Sequence, residues 1–140
     1  MTTKEYLGQI ELFDEKIKQK KSELHDLKLI ATSTGGMNYD ADRVQTSPTG
    51  DTLVNKVAKY VDLEAEIERE MHDFMVLKHR IINEIHELQD VRFVNLLFKR
   101  YVELKGFEKI AVEMDYNYDY VRELHALAIN AFEITHTIPQ

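Results

Sequence analysis

The sequence predicts an all-α protein: a long antiparallel helical hairpin, coiled-coil-like, followed by a small three-helix domain built on a helix-turn-helix. Three observations carry this. The 140 residues include only two prolines and five glycines, so little in the chain interrupts a helix. Two long segments repeat apolar residues with a 3.5-residue rhythm, the seam of a coiled coil. Beyond Gln89 that rhythm gives way to three shorter pieces with helical spacing. The expected domains are therefore a hairpin over 1–88 and a helix-turn-helix domain over 89–140.

In the first segment the seam is Tyr6, Ile10, Phe13, Ile17, Leu24 and Leu27, with Lys20 in the one slot that breaks it. The stretch TSTGGMNYDADRVQTSPTGDT, about 32–52, follows. Its Gly, Ser, Thr, Asp and Pro favour turns and mark a long loop, read as a connector. The second seam is Leu53, Val57, Tyr60, Ile67, Met71, Phe74, Ile81, Ile85 and Leu88, interrupted by Glu64 and Lys78. Pairing positions whose numbers sum to 84 sets Leu24 against Tyr60 and Ile17 against Ile67. It also sets Lys20 against Glu64, a pairing that would fix the alignment. In that register Ile81, Ile85 and Leu88 find no partner in 1–32 and need cover from the C-terminal segment or a second subunit. Pairing between chains, as a homodimer through the hairpin, fits the same periodicity.

The third region divides into VRFVNLLFKRYVEL, FEKIAVEM and YDYVRELHALAINAFE. The first presents Val94, Leu97, Phe98 and Tyr101, and Gly106 after it suits a left-handed helix end. The second puts Phe107, Ile110, Ala111 and Met114 on one face. The third buries Val121, Leu124, Ala128 and Phe132. Ala111 is the small residue a crossing helix requires. Four residues on, Asp115 stands where the turn needs positive φ, and ten residues on, Val121 anchors the second helix. Asn117 is placed to cap that helix. These linked spacings define a helix-turn-helix with a recognition helix at about 117–132.

The stretch LLFKRYVELKGFEKIAVEMDYNYDYVRELHALAINAF resembles region 4 of the sigma-70 family of RNA polymerase factors, in Arg100-Tyr101, Ile110-Ala111, Val121-Arg122 and Ala128-Ile129. It departs at Asp115, where the family has Gly, and at Tyr116 and Tyr118, and it covers only 90–134. The whole chain, with VQTSPTGD ahead of its second long helix, also resembles small prophage-encoded regulators near the ArpU and RinA late-transcription activators. The resemblance implies transcription control on double-stranded DNA, in a phage or prophage setting, with RNA polymerase as a further partner. It implies base reading by Tyr118, Asp119, Arg122 and Glu123, with Ala126 beyond them and Asn117 at the helix start. Arg122 would contact guanine or a phosphate, and Lys99, Arg100, Lys105 and Lys109 would hold the backbone. Two other readings stay open: a coiled-coil adaptor that docks on polymerase, and a small terminase-like DNA-packaging subunit. The hairpin lacks the aromatic-rich melting helix and the basic surface of a −10 reader, so an autonomous sigma factor is not expected.

Charge tempers this reading. The net charge is −7, distributed as neutral over 1–32, about −4 over 51–87 and about −2 over 88–140, so DNA affinity should be modest. The acidic run Glu64, Glu66, Glu68, Glu70 and Asp73 reads as a solvated face. His72, His79 and His86 recur every seven residues, ~10.5 Å along a helix, too far apart to share a metal. No metal, cofactor or enzymatic activity is expected, because no phosphate loop, nucleophile elbow or HExxH helix occurs. There is no cysteine. No apolar start resembles a secretory signal, and no span approaches the ~20 residues a bilayer needs, so a cytoplasmic protein is expected.

Overall fold

The computed structural model describes residues 1–37 and 53–136. The elements are α1 (Thr3–Leu7), α2 (Gln9–Met37), α3 (Leu53–His86), α4 (Val91–Leu97) running on into a π-helical turn (Phe98–Val102), α5 (Phe107–Met114) and α6 (Tyr118–Thr135). The described residues contain no strand, so the fold is all-α. No described helix is long and apolar enough to cross a membrane.

The chain forms two compact units, Met1–Asp14 with Phe74–Gln140, and Glu15–Asp73. In the second, α2 and α3 run antiparallel. Ile17 and Ile67 are buried, while Leu24, Leu27, Val57 and Tyr60 are half-buried. The register differs from the expected one by about a heptad. Lys20 Nζ reaches Glu66 at 3.5 Å and Glu70 at 2.5 Å, and Lys28 Nζ reaches Glu64 at 3.2 Å. The two shorter pairs, Lys20–Glu70 and Lys28–Glu64, sum to 90 and 92 rather than 84, while the longer Lys20–Glu66 contact sums to 86. Facing charges do not fix the register here, because a lysine need not face its partner. Its methylene stem covers apolar surface while the ammonium reaches a carboxylate on the flank. Glu64, Glu66 and Glu70 therefore serve as ion-pair partners between the helices, not simply as a solvated face.

The 91 register also accounts for the residues expected to lack partners. In the first unit Tyr6, Leu7 and Ile10 pack in one core with Ile81, Ile85, Leu88, Leu97, Ala128 and Phe132. Tyr6 Oη donates to Glu84 Oε1 at 2.6 Å. Desolvation and that carboxylate push the phenol up to about 12. Cover for α3 thus comes from both the N-terminal residues and the C-terminal segment of the same chain.

Two helix ends differ from expectation. The first helix breaks at Gly8, where an added Cβ would lie 3.0 Å from the Lys4 carbonyl; Thr2 and Glu5 close a capping box on the short α1. At the other end α2 continues to Met37, past the expected stop at Thr32. The Thr32 hydroxyl donates to the Lys28 carbonyl at 2.8 Å, which satisfies it inside the helix. The rest of the expected loop, 38–52, lies outside the described residues.

α4 separates the core just described from a second one. Leu97 faces the first, while Leu96, which the periodicity did not single out, joins Ile110, Ala111, Val121 and Leu124 in the second. The π-helical turn that follows closes with Glu103 N–H on the Phe98 carbonyl and Lys105 N–H on that of Lys99, both at 3.0 Å. This puts the chain reversal on Leu104, at φ 58°. Gly106, expected to be the left-handed residue, has φ −77° and ψ 162° and caps the start of α5 instead.

Candidate nucleic-acid interface

The α5–α6 corner follows the expected spacing. Asp115 adopts φ 61° and ψ 46°. The Tyr116 amide donates to the Ala111 carbonyl at 3.0 Å and the Asp115 amide to Val112 at 3.3 Å, a Schellman closure. Asn117 then takes extended backbone angles, and its side chain accepts from the Tyr120 amide at 2.8 Å, capping α6. Ala111 and Val121 are both buried. Tyr116 and Tyr120 meet edge to face with centroids 4.8 Å apart, and the Tyr120 hydroxyl accepts from Arg92 Nη1 at 2.8 Å. Asp90, the cap of α4, holds Arg92 from the other side at 2.7 Å.

This leaves one face of α6 outside the core. Tyr118, Asp119, Arg122, Glu123 and Ala126 are all exposed. The Arg122 guanidinium lies 5.9 Å from the Tyr118 ring centroid, one helical turn back. Among the described residues Arg122 has no acidic partner. Asn117 sits at the start of this face with its side-chain oxygen already used by the cap.

The four expected backbone-holding cations divide into two pairs. Lys99 and Lys105 each reach Glu113 Oε1 at 2.8 Å, and Lys105 also reaches Glu103 at 3.1 Å. The hydrogen bonds from Lys105 and Lys99 hold the Glu113 carboxyl down to about 2. The charge of these two lysines is therefore largely matched within the fold. Arg100 and Lys109 have no ion pair among the described residues. Arg100 stacks over the Phe107 ring at 4.9 Å and donates to the Lys105 carbonyl at 3.3 Å.

Arg100 and Arg122 come together in a cleft of about 330 Å³ that Lys4, Tyr101, Phe107 and His125 also line. Its floor is an aromatic pair: Tyr101 Oη and His125 Nε2 share a hydrogen bond at 2.8 Å, and Phe107 meets the imidazole edge-on at 5.0 Å. Burial, with Lys4 and Arg100 nearby, holds the imidazole down to about 4, so it is neutral at pH 7. Sequence reasoning singled out neither Lys4 nor His125. The burial of His125 was readable, since it falls on the arc of Val121, Leu124 and Ala128. The approach of Lys4 was not, because it depends on α1 docking against α6. That docking uses the Tyr6–Phe132 ring contact at 6.2 Å and a hydrogen bond from Thr3 Oγ1 to Glu133 at 3.3 Å.

No group of three or more described His, Asp or Glu side chains is arranged to hold a metal. Compared with known proteins, the chain matches no family model, no curated protein and no solved structure.

Proposed function

We propose that the protein is a DNA-binding transcription regulator that reads duplex DNA through α6. The observation that supports this best is the α5–α6 corner, with Ala111 at the crossing, left-handed Asp115, the Asn117 cap and the Val121 anchor. A helix held this way by its neighbour, with Tyr118, Asp119, Arg122 and Glu123 exposed on its first two turns, suits the ~12 Å major groove. Arg122 is the donor to guanine or a phosphate, and the Tyr118 ring beside it limits its rotamers. Asp119 and Glu123 accept from cytosine amino groups, and Arg100 and Lys109 take backbone phosphates. The likeness to sigma-70 region 4 and to ArpU/RinA-type prophage regulators supports control of phage or prophage genes in the cytoplasm. With few free cations the affinity is modest, so RNA polymerase, or pairing of two copies through the hairpin, supplements it.

A second reading keeps the fold and gives the face to a protein, as an adaptor on RNA polymerase. Asp119 and Glu123 beside Arg122, and the exposed Leu127, favour it. Recovery and sequencing of genomic fragments bound by the purified protein at moderate salt separates the two. Enrichment of one or a few sites is the result expected for a DNA reader. No enrichment, with or without polymerase, would transfer the face to a protein partner or to nothing.

A further inference from the structure

We infer that the cleft between α1, the π-helical turn and α6 is a phosphate-binding site, in which Lys4, Arg100 and Arg122 close on one phosphate group. Three cations line one concave surface of about 330 Å³, and among the described residues none of them has an acidic partner. By contrast Lys99 and Lys105, on the same π-helical turn and the loop after it, are both held by Glu113, and Arg92 is held by Asp90. Three unmatched positive charges in one cleft repel one another, and an anion relieves that repulsion.

The chemistry of the walls narrows the anion. Arg100 is positioned by the Phe107 ring and by the Lys105 carbonyl, and Arg122 by the Tyr118 ring. Each planar guanidinium can present paired N–H donors to two oxygens of one group, and the Lys4 ammonium adds a point charge from a third side. A tetrahedral phosphate offers oxygens in all three directions; a carboxylate offers two in one plane. The floor is uncharged at neutral pH, so it neither repels the anion nor neutralises the arginines.

A phosphodiester of the DNA backbone and a free phosphate both satisfy this chemistry. The first follows from the reading of α6 as a DNA reader, since Arg122 and Ala126 belong to both the cleft and that face; the second does not depend on it. Lys4 is exposed and outside the core, so Lys4→Gln is a folded test variant, and Arg100→Lys keeps charge while removing the paired donors.

The experiment has two arms. The first titrates inorganic phosphate into the protein and follows the His125 imidazole by NMR. Binding over the floor raises the imidazole pKa from its depressed value, and the rise shrinks in Lys4→Gln and Arg100→Lys. The second measures duplex DNA affinity against salt, where losing one phosphate contact lowers the log–log slope by about 0.9. Loss of about that slope in Lys4→Gln assigns the phosphate to DNA. An unchanged slope alongside a variant-sensitive phosphate response assigns the cleft to free phosphate and leaves the DNA reading to the base-contacting residues. An unchanged DNA slope and an imidazole indifferent to phosphate overturn the site, even if wild type binds DNA.

Discussion

Tyr101 Oη lies 2.8 Å from His125 Nε2, beneath two cations, Lys4 and Arg100, that both disfavour a proton on the ring. Burial, with these two cations beside it, keeps His125 neutral in the same cleft that Arg122 lines.

One consequence is a pH-dependent stability. The His125 pKa falls from 6.5 to about 4 on folding. The stabilisation that depends on the neutral ring is complete above pH 6.5 and declines as pH falls toward 4, because the unfolded chain takes up the proton first. The loss is roughly 2–3 kcal/mol across that window. Urea unfolding at pH 7 and pH 4.5 measures it, with His125→Gln as a variant that retains a partner for Tyr101. An equal decline in wild type and variant would assign the acid sensitivity to other groups.

Asp115 holds a left-handed conformation that costs an L-residue roughly 1 kcal/mol, and its side chain is exposed. Asp115→Gly should therefore raise the unfolding free energy by about 0.5–1 kcal/mol, with the helix-turn-helix intact. Asp115→Val should lower it by at least that amount. A glycine variant less stable than wild type would mean that the turn does not carry this strain.

Much of this corner was legible because its requirements are local. Ala111, Asp115, Asn117 and Val121 lie within ten residues, and steric limits on φ, a hydrogen-bonding cap and close helix crossing restrict each one. The hairpin register was not legible. A heptad pattern fixes which faces meet but not which heptad faces which, and the long reach of Lys20 removed the constraint expected to decide it. Leu96 was missed because its helix lies between two cores and buries two faces, and the π-helical turn beyond it moved the left-handed residue from Gly106 to Leu104. The cation cleft depends on α1 meeting α6 across more than a hundred residues of chain, which no spacing rule reaches.

The register has its own test, made simple by the absence of native cysteine. Leu24→Cys with Ile67→Cys, seam positions that sum to 91, should oxidise more readily to an intramolecular disulfide than Ile17→Cys with Ile67→Cys, which sum to 84. Mass spectrometry under mild oxidation separates the outcomes. Rapid closure of the second pair alone would restore the register that sums to 84.

Glu113 restrains two of the cations expected on the DNA backbone. Glu113→Gln should release Lys99 and Lys105, raise affinity for any duplex alike, and steepen the salt dependence by up to about two phosphate contacts. Filter binding at several salt concentrations reads this out. No change in slope would leave both lysines outside the DNA-contacting surface.

The proposed reading of DNA by α6 depends most directly on Arg122. The decisive measurement is the recovery of bound genomic fragments by wild type and by Arg122→Ala in parallel, with circular dichroism to establish that both are equally helical. Enrichment of a few sites by wild type, lost in the variant, is the predicted result. Identical enrichment by a well-folded Arg122→Ala protein would contradict it.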